Sequence, residues 1–344
     1  MDSDSIVEID GLHVSFRLRG ERVHALRGVT LDVKRGESLA IVGESGSGKS
    51  VLCKCLMGLL DSNGEITEGT ITFDGIELTK IKDEKQWLNI RGSGIAFVMQ
   101  DPISSLNPLM RVGDQVKEAV LLHQGLSGSE ARQAAVNALS DVGIDSAEKR
   151  YMQYPHEFSG GMRQRAVIAI ALACKPKLII CDEPTTALDV TIQAQILGLI
   201  KEMQKKMHLT TIYVTHDLGV VAMIADRVAV MYAGDIIEVG TVREVFKRPA
   251  HPYTWALLSS LPQLAPKSGE LYSIGGSPPN MANEISGDAF APRNPYALNI
   301  DFVQRPGYYS LSPTHKARTW LLDSRAPRVD PPEGIQKIRR GDGL

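Results

Sequence analysis

The chain has 344 residues, more than one ordinary domain of ~100–200, so one large domain with an appendage, or two domains, is expected. Its residues are 43% hydrophobic and 23% charged with a net charge of -2, which allows a sizeable core and leaves no basic surplus for nucleic acid. The acidic, polar start Met1-Asp2-Ser3-Asp4-Ser5 is the opposite of a signal peptide, and the longest apolar run, Ala166 to Cys174, is half the ~18–20 residues of a membrane span. If such a chain serves a membrane, other chains cross it.

In chain order, Ile6, Leu12, Val14 and Phe16 mark a first strand, Val29-Thr30-Leu31-Asp32-Val33 a second, and Ser38-Leu39-Ala40-Ile41-Val42 a third that runs into glycines. A hairpin-like stretch, Gly69-Thr70-Ile71-Thr72-Phe73-Asp74-Gly75, has turn residues at both ends. From about Val112 to Ala173 the periodicity is helical, with Ser127 or Ser129 as a cap before Glu130 to Val142. Strands and helices then alternate: Lys177 to Cys181, Thr191 to Met207 (helix), Thr211 to Thr215, Leu218 to Ala225 (helix), and Arg227 to Tyr232. This alternation predicts an α/β fold with a mostly parallel sheet. The composition shifts at Arg248-Pro249-Ala250. Beyond it, prolines (Pro252, Pro262, Pro266, Pro278, Pro279, Pro292, Pro295, Pro306, Pro313) and few periodic elements predict an extended, loop-rich C-terminal appendage. The domains expected are therefore 1–250 and 251–344. Cys53, Cys55, Cys174 and Cys181 make no Cys-x-x-Cys pair and read as reduced core thiols.

Gly43-Glu44-Ser45-Gly46-Ser47-Gly48-Lys49-Ser50 follows the third strand and opens a helix through Val51 and Leu52. Glycines at these spacings let backbone N–H groups wrap phosphates, Lys49 reaches the terminal phosphates, and the Ser50 hydroxyl suits Mg²⁺. The helix dipole adds positive potential at the same place. Leu178-Ile179-Ile180-Cys181-Asp182-Glu183 is a buried strand that ends in two carboxylates, where ligands of such sheets sit. Asp182 would hold Mg²⁺ and its waters; Glu183 would act as general base on the attacking water. His216 and Gln100 each follow a strand, and each gains a role only from this company: His216 toward the γ-phosphate and water, Gln100 toward Mg²⁺ or water.

Phe158-Ser159-Gly160-Gly161-Met162-Arg163-Gln164-Arg165 resembles the signature motif of the ATP-binding cassette family. Two glycine amides and a serine at a helix start make a second anion site. In that family Ser159, Gly160 and Gly161 would complete the nucleotide site of a partner subunit. Thr186-Ala187-Leu188-Asp189 resembles the loop that crosses the dimer interface, and Asp189 belongs to the expected nucleotide-site set. Phe16 resembles the aromatic that stacks on adenine. The resemblance covers roughly residues 6 to 250. It implies a P-loop ATPase domain with an antiparallel β subdomain and a helical signature subdomain at about 101–166, plus the C-terminal extension.

A narrower resemblance is to the oligopeptide and dipeptide importer ATPases of the OppD/DppD type. It rests on the Glu44 loop, on Pro184-Thr185-Thr186-Ala187-Leu188-Asp189-Val190-Thr191, on His251-Pro252-Tyr253-Thr254, and on Met162 where most cassettes have glutamine. It implies ATP and Mg²⁺ as ligands and a second, non-identical ATPase (OppF/DppF-like) as partner. It also implies two membrane-spanning permease subunits, an extracellular peptide-binding protein, no nucleic acid, and a peripheral place at the cytoplasmic face of the membrane. Many members hold an iron–sulfur cluster on four tail cysteines. Here Asp288, Asn294, Asp301 and Thr319 occupy those positions, as in cysteine-free Gram-positive chains, so no cluster is expected. An oligopeptide is the expected cargo, with a dipeptide or nickel importer as the alternative within the family. A soluble repair or ribosomal cassette fits less well. The span from Gln100 to Ser159 is too short for an inserted coiled coil, and there is one cassette only.

Overall fold

Buried Val7, Ile9, Leu12 and Val14 would not share one face of an unbroken strand, because the step from Ile9 to Leu12 is odd. One extra residue between Asp10 and His13 in the pairing register resolves this, and all four point to one side. Opposite the bulge, Gly69 (φ +84°) comes so close that a Cβ would sit 2.4 Å from the Gly11 carbonyl oxygen.

The computed structural model describes residues 4–18, 20–186, 188–261 and 274–340. Met1, Asp2, Ser3, Ala187, Pro262 and Pro266, named above, lie outside them. The elements run β1 (Ser5–Leu18), β2 (Glu21–Lys34), β3 (Ser38–Val42), α1 (Lys49–Met57), β4 (Gly64–Phe73), β5 (Ile76–Glu77), α2 (Glu84–Leu88) and β6 (Ile95–Val98). Helices α3 (Pro102–Ser105), α4 (Val112–Gln124), α5 (Gly128–Asp141), α6 (Ala147–Tyr151) and α7 (Gly160–Ala173) follow. Then come β7 (Leu178–Asp182), α8 (Val190–Met207), β8 (Thr210–Thr215), α9 (Leu218–Ile224), β9 (Arg227–Tyr232), β10 (Asp235–Thr241), α10 (Val242–Lys247) and α11 (Pro252–Ser259). The tail adds β11 (Tyr309–Ser310), β12 (Lys316–Ala317) and α12 (Glu333–Arg340). Among the described residues no helix is long and apolar enough to cross a membrane.

The chain divides into two units. The first comprises Met1–Val33, Leu39–Thr79 and Thr215–Leu344. It holds an antiparallel sheet of order β2-β1-β4-β5 and a second run of strands, β11-β12-β10-β9-β3. β3 and β9 are parallel, Leu39 beside Arg227 and Val42 beside Val230, and both are buried throughout and apolar after their first residues, Ser38 and Arg227, as expected of parallel strands covered on two faces. The short strand β12 extends this sheet by pairing with β10 at Glu238–Ala317.

The described residues of the tail are more deeply buried than its prolines predict. Phe290, Ala289, Ile335 and Ile338 share one core with Ala40 and Val42 on β3, Val228 and Val230 on β9, and Tyr253 and Trp255 on α11. Residues on both sides of Arg248 therefore bury one another. α11 escaped the reading because its faces are apolar all round, and a helix of eight residues without polar alternation has no period to see. It is nevertheless well specified: Pro252 sits at its start, where a missing N–H costs nothing, and His251 Nδ1 accepts the Tyr253 N–H at 3.0 Å.

The second unit comprises Lys34–Ser38 and Lys80–Val214. Its strands β6, β7 and β8 are parallel neighbours, Ile95 beside Leu178 and Leu178 beside Thr210. Helices α4, α5 and α7 pack on one another. Ser127 is the N-cap residue of α5, and Ser159 caps α7 by accepting the Met162 N–H at 3.3 Å. The four cysteines are buried, and burial pushes the Cys55 and Cys181 thiols up to about 12.

Candidate active site

In the first unit, buried β3 delivers the chain into Gly43 to Gly48, and α1 begins at Lys49. Two of the glycines are required by close approach. A Cβ on Gly43 would lie 2.1 Å from the Met231 carbonyl oxygen, and one on Gly48 (φ +104°) 2.8 Å from that of Ala25. No side chain caps α1, whose N-cap is Gly48 itself, so its start is shaped for an external anion. Ser47 Oγ is buried inside the loop and has no hydrogen-bond partner among the described residues. Lys49 is 6% exposed, and its Nζ donates to the carbonyls of Gly43 (2.8 Å) and Glu44 (2.9 Å). Ser45, Gly46 and Ser50 are exposed, and Val51 is half-buried. Phe16 is half-buried on β1 opposite Gly64, and any Cβ there would strike its ring at 2.6 Å. His216 emerges exposed just after β8.

In the second unit, β7 ends at half-buried Asp182, and the next residue, Glu183, adopts φ +45°. A left-handed backbone at a non-glycine residue costs roughly 1–3 kcal/mol and persists only when its surroundings enforce it. Here the Glu183 N–H is tied to the Val214 carbonyl at 2.8 Å. The carboxylate is held as well: Glu183 Oε2 accepts from Gln100 Nε2 and from Thr186 Oγ1, both at 2.9 Å. Two predicted site residues are thus joined directly, and Thr186, which the sequence placed only in an interface loop, proves to orient the carboxylate.

The signature segment lies at the start of α7, with Ser159 and Gly160 exposed. The two glycines differ in what they demand. A Cβ on Gly161 would meet Ile192 of α8 at 2.8 Å, whereas one on Gly160 would find only ordinary contact with Leu188 at 3.7 Å. Packing against α8 requires a glycine at 161 and makes no such demand at 160. Asp189 caps α8, accepting the Ile192 N–H at 3.0 Å. That contact gives it a local role in addition to the expected one.

A family model described as "ABC transporter" matches residues 26–186, and one described as "Oligopeptide/dipeptide transporter, C-terminal region" matches 237–300. The chain is 55% identical over 325 residues to the oligopeptide transport ATP-binding protein AmiE of Streptococcus pneumoniae, covering 94% of this chain and 92% of that protein. It is 52% identical over 336 residues to the dipeptide transport ATP-binding protein DppD of Lactococcus lactis, covering 97% and 96%. This chain is an ABC transporter ATPase of the oligopeptide/dipeptide type. A dimeric post-hydrolysis structure of the ATP-binding cassette MJ0796, bound to ADP and Pi, superposes with a TM-score of 0.62 at 30% identity. It covers 69% of this chain and 99% of that one, so about a third of the ATPase lies beyond that match.

In the ATPase's tail, the four positions where the resemblance sets cysteines are all buried. Each side chain there accepts a backbone N–H: Asp288 from Phe290 (3.0 Å), Asn294 from Tyr296 (3.0 Å), Asp301 from Leu298 (2.6 Å) and Thr319 from Leu321 (3.3 Å). Local turns closed by side-chain oxygens thus stand at the positions where the resemblance sets thiolates. Oxygen ligands of this kind do not suit an iron–sulfur cluster.

Proposed function

We propose that this ATPase powers the import of oligopeptides, binding ATP at the phosphate loop Gly43 to Val51 and hydrolysing it with Glu183 as general base. The observation that carries the catalytic part is the carboxylate of Glu183, fixed by Gln100 and Thr186 at the end of a buried strand. A carboxylate so held accepts a proton from an attacking water without first having to reorganise. Gln100 shares that carboxylate and is the natural second contact for the water. Lys49 exchanges its two loop carbonyls for phosphate oxygens, a trade of neutral acceptors for charged ones that favours the nucleotide.

Asp182 and Ser50 suit Mg²⁺, which takes one or two protein oxygens and completes its shell with water and phosphates. The metal would supply charge neutralisation at the phosphates. Phe16 offers a ring to the adenine, and His216 a contact to the γ-phosphate. Exposed Ser159 and Gly160, with Gly161 and Asp189, serve the nucleotide of a second, non-identical ATPase. Two permease subunits, reached from the cytoplasmic face of the membrane, carry the peptide that an extracellular binding protein delivers.

The joint presence of the cassette and the matched C-terminal region supports the peptide reading. Uptake of labelled di-, tetra- and pentapeptides, in cells lacking this gene and complemented with it or with Glu183→Gln, tests it. Restored uptake of the longer peptides by the wild-type gene alone is the expected outcome. Restoration of dipeptide uptake only would favour the dipeptide reading, which the DppD relative also supports.

A further inference from the structure

Glu44 is the second residue of the phosphate loop, and its side chain turns away from the glycines toward the tail. There Arg293 meets it fork to fork, Nη1 to Oε2 at 2.8 Å and Nη2 to Oε1 at 3.1 Å. The Arg293 side chain is 6% exposed and that of Glu44 24%, so the pair is sheltered from water and from salt screening. A guanidinium has five N–H donors, and here all five are used. The remaining three go to Tyr232 Oη (3.1 Å), the Gly275 carbonyl (2.9 Å) and the Ile274 carbonyl (3.4 Å). Tyr253 Oη accepts the backbone N–H of Glu44 at 2.9 Å, so main chain and side chain of this residue are both gripped. Around the pair, Tyr232 and Tyr253 each meet Phe290 edge to face and are tilted against one another.

We propose that Arg293 of the C-terminal extension is a positioning residue for nucleotide binding, holding the phosphate loop in its binding shape through the paired contact with Glu44. The physical case rests on what the loop has to do. Its glycines give backbone freedom, and amides that must all face phosphate lose affinity when they can turn elsewhere. The Glu44 N–H is removed from the anion-facing set by Tyr253, and its carbonyl points to Lys49 Nζ. Fixing Glu44 therefore fixes the start of the loop and the rest position of the lysine together. A lysine in place of Arg293 would keep the charge and lose the fork. The extension thereby acquires a task at the ATP site itself. The proposal rests on the assignment of Gly43 to Val51 as that site.

The test is titration of the full-length chain with a fluorescent ATP analogue, in wild type, Arg293→Ala, Arg293→Lys, Glu44→Gln, the Arg293→Ala/Glu44→Gln double variant and Lys49→Ala. Arg293→Ala should bind about tenfold more weakly, the equivalent of one charged hydrogen-bonded contact. Glu44→Gln should lose about threefold, and Arg293→Lys should fall between wild type and Arg293→Ala. The double variant should bind no more weakly than Arg293→Ala, because both changes break one contact. In the assembled transporter, KM for ATP should rise by more than kcat falls. A bare structural brace would instead lower the melting temperature and leave the affinity of the folded protein as it was, which overturns the proposal. Should Arg293→Ala fail to fold, Glu44→Gln decides: wild-type affinity in it overturns the proposal too. Lys49→Ala separates the two readings. If it loses binding while the Arg293 and Glu44 variants do not, only the positioning role fails; if it binds like wild type, the loop assignment fails first.

Discussion

Gln100 Nε2 lies 2.9 Å from Glu183 Oε2, although 83 residues separate the two in sequence. Thr186 Oγ1 donates to the same oxygen at 2.9 Å, so two neutral donors orient the carboxylate. Glu183→Gln should therefore keep ATP binding and slow hydrolysis by ~10²–10⁴-fold, the usual contribution of a general base. Single-turnover hydrolysis in the assembled complex checks this; near-normal turnover would remove Glu183 from the role.

Thr186→Val keeps the shape of the side chain and removes one of those donors. We expect kcat to fall about tenfold with little change in KM, because one neutral hydrogen bond to a charged group is lost at the reacting carboxylate and nowhere else. Steady-state kinetics on the purified transporter measures both. A rise in KM with kcat unchanged would mean that Thr186 serves binding instead.

The two signature glycines should respond differently. Gly160→Asp meets only ordinary contact, so the melting temperature should stay within a few degrees of wild type while ATP-dependent association with the second ATPase is lost to negative charge. Gly161→Ala already drives a Cβ toward Ile192 at 2.8 Å and should cost ~1–3 kcal/mol of stability. Thermal melts and size-exclusion of co-expressed subunits with ATP distinguish them. Equal destabilisation by the two changes would contradict the packing difference.

The buried carboxyl of Asp288 gives the tail a pH signature. Burial pushes it up to about 6, with Asp235 adding to the rise and the backbone N–H of Phe290, Arg27 and Arg305 opposing it. An acid with a raised folded pKa holds its proton more tightly when folded. Its favourable contribution is full below its unfolded value near 3.9 and is lost as pH climbs through about 6. Asp288→Asn, which can still accept the Phe290 N–H, should therefore stabilise the protein at pH 7–8 by up to about 2–3 kcal/mol, and the gain should vanish near pH 4. Neighbouring His251 is pulled down to about 4 by burial, so it is neutral at pH 6 and 8 and takes up a proton only at the acid end of that range. Chemical denaturation at pH 4, 6 and 8 reads the difference; a gain independent of pH would mean that the carboxyl is not its source.

Much of the site was legible because its determinants are local. Glycine spacing before Lys49, a strand's apolar run ending in Asp182-Glu183, and Ser159 at a helix start each specify backbone geometry within a few residues. The sequence by itself also determined the alternating α/β order and the absence of thiols at the four tail positions, since composition alone decides what can be ligated. Tertiary structure alone decided the rest. It gave Lys49, expected only as a charge for phosphate, a buried place on two loop carbonyls, because the loop closes over it. It brought Gln100 and Thr186 to one carboxylate oxygen, and it brought Arg293 to Glu44 across 249 residues. It also placed Phe290, Ile335 and Ile338 in the core of β3 and β9. Such pairings depend on which strands lie side by side and on short elements that carry no period of their own. Neither can be read from neighbours along the chain, because both are settled only when burial brings distant segments into contact.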